Sequence, residues 1–345
     1  MKWAAVRKRL WRGLATVLLL LILLVVSGIV YQTIASAQDR ETYAPQGRLI
    51  PVSGPAMHLY CIGEGSPTVI LESGVGGNTL LWSYIQPDIA QTTRVCAYDR
   101  SGYGWSEASS NERTTPNMAE ELHNLLTQAG IEPPYILAGH SFGGLVVRTF
   151  AGLYPDEVVG LVFIDAAHPN QFSPERCIPD CFPADAVSLV DTFYAMLPTM
   201  ARTGVVRLLV PTGSLPLPFF SVPADFPNRN ALIAQFSTNN HSDTVLAEWN
   251  AFPQSAEVVN EIGSMGDLPI RLITALNTYH EQPLPGQDAE ETTRVWTALQ
   301  NDLLRLSTDS TQQVIEEAAH FSLLLNADHA TSVIETIEEL VQELR

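Results

Sequence analysis

The sequence predicts an α/β fold: a mostly parallel sheet with helices on both faces, interrupted late by a helical insertion. Three observations predict it. Short apolar runs alternate with helical patterns from residue 57 to residue 164. A glycine-framed serine at 139–143 joins one such run to a helix. The alternation then stops at His168 and resumes only near residue 270.

The elements follow in order. Residues 57–62, 68–72 and 94–98 read as strands, 118–129 as a helix and 135–138 as a buried strand. Residues 142–154 read as a helix closed by Pro155, and 159–164 as the next apolar strand. Residues 168–265 are rich in proline and aromatics and carry no clear strand pattern. Strand character returns at 270–274 and 313–315, helix at 292–306 and 331–344. The expected organisation is therefore a basic, apolar N-terminus (1–37), a linker (38–56), a first core part (57–167), a lid or cap (168–265) and a second core part (266–345).

Composition narrows the function classes. The chain of 345 residues is 46% hydrophobic, too apolar for a disordered protein. Its net charge of −18 disfavours binding to a phosphate backbone, so no nucleic-acid partner is expected. Charge is also uneven. Lys2, Arg7, Lys8, Arg9 and Arg12 precede residues 14–31, which carry no charge and consist mostly of Leu, Val and Ile. That run has the length of a bilayer span, and its basic flank would remain on the cytoplasmic side. A retained membrane anchor and a signal peptide cleaved at Ala35-Ser36-Ala37 both fit. Either places the remainder outside the cytoplasm.

Gly139-His140-Ser141-Phe142-Gly143 fits G-x-S-x-G, with a strand before it and a helix after it, the context a nucleophile elbow requires. The helix N-terminus adds positive potential where an oxyanion would form. With Leu71-Glu72-Ser73-Gly74-Val75-Gly76-Gly77 and Tyr98-Asp99-Arg100-Ser101-Gly102-Tyr103-Gly104-Trp105-Ser106, this motif makes the chain resemble the α/β-hydrolase fold family from about residue 50 to its end.

The resemblance implies an eight-stranded, mostly parallel sheet with a helical lid inserted after the sixth strand, no cofactor, and the order Ser…Asp/Glu…His. Some members use an aspartate nucleophile, as haloalkane dehalogenases and epoxide hydrolases do. A serine at 141 argues against those chemistries. Phe142, the residue after the nucleophile, and Val75 are the expected oxyanion donors, although Ser73 stands where relatives often carry His. Asp99-Arg100 is expected to fix loops near the site.

Ala319-His320-Phe321 lies where the family's histidine loop lies, which makes His320 the expected base. His329 reads as a surface or cap residue, and His140 as one packed under the serine. No histidine pair shows metal-type spacing, so no metal is expected. The acid has three candidates. The loop after residues 270–274 offers only Glu281 and Asp288, whereas Asp165 ends a buried apolar strand, where an unpaired carboxylate would be costly.

The expected activity is cleavage of a carboxylic ester in a small-molecule substrate, and the aromatic-rich insertion suits an apolar acyl or alcohol group. A peptidase, amidase or acyltransferase is the alternative on the same fold. A non-catalytic binding protein or a membrane-anchored receptor is the alternative of another class. Cys61 and Cys96 fall on strands that are neighbours in the family's strand order, so a bridge between them is expected. Cys177 and Cys181 are expected to pair locally.

Overall fold

A 41-residue helix, α1 (Lys2–Thr42), opens the computed structural model. The structure describes residues 2–52, 54–173, 182, 184–213, 215, 222–281, 283–284 and 287–345. Cys177, Cys181, Phe219 and Phe220 lie outside the described residues.

The core alternates as the sequence predicts. Strands β1 (Arg48–Pro51), β2 (Ala56–Ile62) and β3 (Thr68–Glu72) lead into α2 (Gln86–Thr92), β4 (Val95–Tyr98) and α3 (Thr115–Ala129). Then come β5 (Tyr135–His140), α4 (Gly143–Leu153) and β6 (Val158–Ile164). The insertion carries α5 (Ala184–Arg202), α6 (Val205–Leu209), α7 (Arg229–Phe236), α8 (Asn239–Asn250) and α9 (Phe252–Glu261). The core resumes with β7 (Ile270–Ala275), α10 (Thr278–Glu281), α11 (Ala289–Leu303), β8 (Ser310–Ile315), α12 (Ser322–Leu325) and α13 (Ala327–Glu343).

One eight-stranded sheet runs β1-β2-β4-β3-β5-β6-β7-β8. The β1/β2 and β2/β4 pairs are antiparallel, and every pair from β4/β3 onward is parallel. The central strands β3, β4 and β5 are buried at every position, as a sheet covered on both faces requires. One cluster, including Val69, Leu71, Ile136 and Ile164, packs on one face. A second, including Ile70, Leu137, Leu161 and Phe163, packs on the other. Alternate residues of a strand thus enter opposite cores.

Several boundaries differ from the sequence reading. The stretch read as a linker is the end of α1 followed by β1, which pairs with β2 from Arg48↔Leu59 to Pro51↔Ala56. Strand β8 begins at Ser310 rather than at 313. Helix α13 begins at Ala327 because the Asn326 side chain accepts from the Asp328 and His329 amides. Cys61 and Cys96 stand directly opposite each other on β2 and β4 and are joined by a disulfide.

Candidate active site

Strand β5 delivers Ser141 at the carboxyl edge of the sheet. Its φ of 54° is left-handed, a conformation that costs a non-glycine residue roughly 1–3 kcal/mol and clusters at functional sites. Tight packing enforces the turn. A Cβ on Gly139 would lie 2.6 Å from the Gly143 carbonyl oxygen, and one on Gly143 would lie 2.5 Å from that of Glu72. The Ser141 amide donates to the Ile164 carbonyl (3.1 Å), and the Ser141 carbonyl accepts from the Ala167 amide (2.8 Å). The serine turn is therefore laced to the end of β6.

Asp165 sits at that end, also left-handed, with φ 43° and no exposure. Its Oδ1 accepts from the Ala275 amide (3.0 Å) and from Trp296 Nε1 (2.8 Å). Its Oδ2 faces His320 Nδ1 at 2.5 Å. A buried carboxylate is tolerable only with such partners. It fixes the imidazole with the proton on Nδ1 and the lone pair on Nε2. The loop of His320 is held twice more: its amide donates to Thr278 Oγ1 (2.8 Å), and its carbonyl accepts from His140 Nε2 (3.0 Å). Burial, with the neighbouring His320 ring, pulls the His140 pKa well below the ordinary histidine value. Neutral His140 thus ties the residue before the serine to the histidine loop.

The other two candidate acids are elsewhere engaged. The Glu281 carboxylate accepts from Asn277 Nδ2 at an exposed site (2.8 Å). Asp288 caps α11 by accepting from the Glu291 amide (2.9 Å). His329 pairs with Ser322 Oγ near the start of α13 (2.7 Å).

The turn after β3 passes beside the serine, where a Cβ on Gly74 would come within 2.9 Å of Ser141 Cβ. The amides of Val75 and Phe142 have no acceptor among the described residues, the condition in which an oxyanion donor must stand.

The loop-fixing role expected of Asp99-Arg100 falls on this turn, and the partner that sequence reading missed is Glu248. Arg100 is buried and donates to the carbonyls of Ser73 (2.5 Å) and Gly74 (2.7 Å). Its remaining N–H groups reach two buried carboxylates, Glu72 of β3 and Glu248 of α8. Tyr103 donates to Glu248 (2.8 Å), and Tyr98 donates to Glu72. Burial raises the Glu72 pKa above the usual carboxylate value, with Arg100 and Tyr98 opposing. Glu248 lies within the insertion, and nothing in its local sequence points to a partner 148 positions away.

Beside the turn lies a small, largely enclosed apolar cavity. Val75, Tyr194, Phe236, Val245 and Phe321 line it, with the His241 ring at one wall. Burial lowers His241 to about 3, so that ring is neutral. The aromatics Phe172, Trp249 and Phe252 pack together in the insertion, with Phe252 against Phe142 (6.0 Å between centroids). Among the described residues, no three histidine, cysteine or acidic side chains converge as a metal site requires.

Comparison with known proteins agrees with this architecture. The family model of the alpha/beta hydrolase fold matches residues 67–201. A protein of Bacillus subtilis, YbdG, is 28% identical over 171 residues, covering 48% of this chain and 53% of its own length. The chain spans about half the length, or less, of the curated relatives it matches first. Among solved structures, the epoxide hydrolase CorEH superposes with a TM-score of 0.64 at 18% identity, covering 86% of this chain and 99% of that one. A thermophilic esterase from Thermogutta terrifontis gives 0.59 at 18% identity, covering 87% and 99%. At such identity these likenesses speak for the fold.

Proposed function

The chain is a member of the α/β-hydrolase fold family, and on that premise we propose that it is a serine hydrolase that cleaves carboxylic esters through an acyl-enzyme. The observation that carries this reading is the buried Asp165 Oδ2–His320 Nδ1 contact of 2.5 Å, laced through the end of β6 to the left-handed Ser141.

In this reading Ser141 Oγ attacks the acyl carbonyl while His320 Nε2 takes its proton. Asp165 stabilises the imidazolium and remains ionised. The Val75 and Phe142 amides receive the negative charge that develops on the carbonyl oxygen. The C–O bond to the leaving alcohol breaks as His320 returns the proton to it. Water then attacks the acyl-enzyme, giving its proton to His320, and the acid departs as Ser141 is regenerated. The apolar side chains beside the Val75 turn favour an apolar acyl group, and the aromatic insertion acts as a lid.

The same acyl-enzyme would serve an acyltransferase if an alcohol replaced water, or an amidase if the leaving group were an amine. A panel of esters, amides and acyl acceptors, scored on the intact protein, tests the choice. Ester hydrolysis that exceeds amide cleavage and is unchanged by added alcohols supports the reading. Turnover confined to amides, or to added acceptors, refutes it.

We place the catalytic domain outside the cytoplasm, tethered by α1. Its apolar stretch is exposed and long enough to span a bilayer, and the basic residues precede it. The Cys61–Cys96 pairing supports an oxidising compartment. Cell fractionation with surface-restricted proteolysis tests the assignment.

A further inference from the structure

The second half of α1 is not free of the domain. Gln32 is only 2% exposed and donates to the Ser237 carbonyl, between α7 and α8 (2.6 Å). Arg207 of α6 spreads along one face of α1. Its Nε donates to Gln32 Oε1 (2.9 Å), Nη2 to Ser36 Oγ (3.1 Å), and Nη1 to Asp39 Oδ2 (2.5 Å). Positions 32, 36 and 39 follow the i, i+4, i+7 spacing of a single helix stripe. One turn earlier the backbones touch: a Cβ on Gly28 would lie 2.2 Å from the Thr203 carbonyl oxygen. Gly204, left-handed at φ +76°, faces Gly28 and Tyr31 across the same contact.

We infer that residues 28–39 of α1 form a docking stripe for the insertion, and that this stripe holds the lid at the surface of a lipid bilayer, where the site takes lipid-soluble esters. Residues 14–31 span about 27 Å as a helix, close to the thickness of a hydrocarbon core. The bilayer boundary then falls near Tyr31, level with Thr203 and Gly204. Helices α5 and α6, which meet there, leave Leu189, Met196 and Leu208 more than half exposed. A lipid surface is the partner that exposed apolar side chains on helices docked against the span suit. The Ala35-Ser36-Ala37 motif lies inside the docking stripe, so cleavage there would strip Arg207 of Gln32 and Ser36.

The inference rests on the reading of α1 as a membrane span and of Ser141 as the nucleophile, and one experiment separates the three. The full-length protein is placed in phosphatidylcholine vesicles. Flotation and intact mass report the span. Hydrolysis of p-nitrophenyl acetate in solution reports the nucleophile, and hydrolysis of p-nitrophenyl palmitate within the vesicles reports the docking.

Wild type should float with its mass beginning at Met1 and hydrolyse both esters. Arg207→Glu should still float and keep acetate hydrolysis within about twofold. Its palmitate hydrolysis should fall about tenfold, the effect of losing roughly one charge-assisted hydrogen bond. Asp39→Arg added to Arg207→Glu should restore it. If Arg207→Glu fails to fold, seen by circular dichroism, Gln32→Leu reads the same split. Equal effects on both esters, or none on either, overturn the inference while leaving the span and the nucleophile intact. A wild type that does not float, or begins near Gln38, overturns it together with the span. A floating protein that hydrolyses neither ester overturns it together with the nucleophile.

Discussion

Glu248 of the insertion meets Arg100 of the core in a two-pronged contact, Nε to Oε1 and Nη2 to Oε2, each 2.8 Å long. The same guanidinium holds the Ser73 and Gly74 carbonyls, so the turn that carries Val75 is fastened to the lid. Geometry of this kind is specific to arginine, because a lysine cannot present the planar fork. Removing one member of a buried pair leaves the other charge uncompensated. Glu248→Ala is expected to destabilise the protein by about 3–5 kcal/mol. Arg100→Lys should retain a fold but lose turnover with little change in KM. Urea denaturation and steady-state kinetics check the two effects.

Asp165→Asn should leave the fold intact and lower kcat on the order of 10⁴-fold, because an amide favours the wrong tautomer of His320. Glu281→Gln should do little, since its contact to Asn277 is exposed. Asp288→Asn should likewise do little, since asparagine caps a helix as well as aspartate does. Circular dichroism and kcat on one ester, measured across the three variants, check the assignment.

His58 predicts a pH dependence of stability. Burial lowers its pKa, but Asp99 (2.9 Å to Nδ1) and the Gln46 carbonyl at Nε2 outweigh that and raise it above the ordinary histidine value. A histidine raised on folding contributes stability that is fully present below its unfolded pKa, about 6.5. That contribution is lost as pH rises through the folded value. The melting temperature should therefore fall from about pH 6.5 upward, and His58→Gln should flatten the decline. Thermal melts from acid to mildly alkaline pH check the sign.

The Cys61–Cys96 bridge closes a loop across β2 and β4, with a sequence separation of 35. Opening it should cost roughly 3–4 kcal/mol by the loop-entropy model. Denaturation of the wild type with and without reductant, beside Cys61→Ser, checks the value.

Much of this site was legible in the sequence because its parts obey local rules. Ser141 was marked by glycines that a sharp strand–turn–helix needs, and His320 by its place after the last strand. For the acid, the sequence left Asp165, Glu281 and Asp288 open; the cost of a carboxylate ending a buried strand favoured Asp165, whose partners are Ala275, Trp296 and His320. What stayed hidden depends on distant residues. Neither Glu248 nor Trp296 carries a local signature, and each acquires its role only when the insertion or α11 packs onto the sheet. Edge elements were also obscured. Strand β1 is four residues long with one buried position, and β8 opens with four polar residues and has no fully buried position, so neither shows a long apolar run. The docking of α1 through Gln32 and Arg207 was equally invisible, because a long apolar run dominates the sequence around it.

The central claim is that Ser141 is an activated nucleophile. The most direct test is reaction of the intact, folded protein with a fluorophosphonate, with the adduct located by peptide mass. One adduct on Ser141 is expected, absent in Ser141→Ala and strongly slowed in His320→Ala. A folded wild type that takes no adduct, or takes it on another residue, would contradict the account.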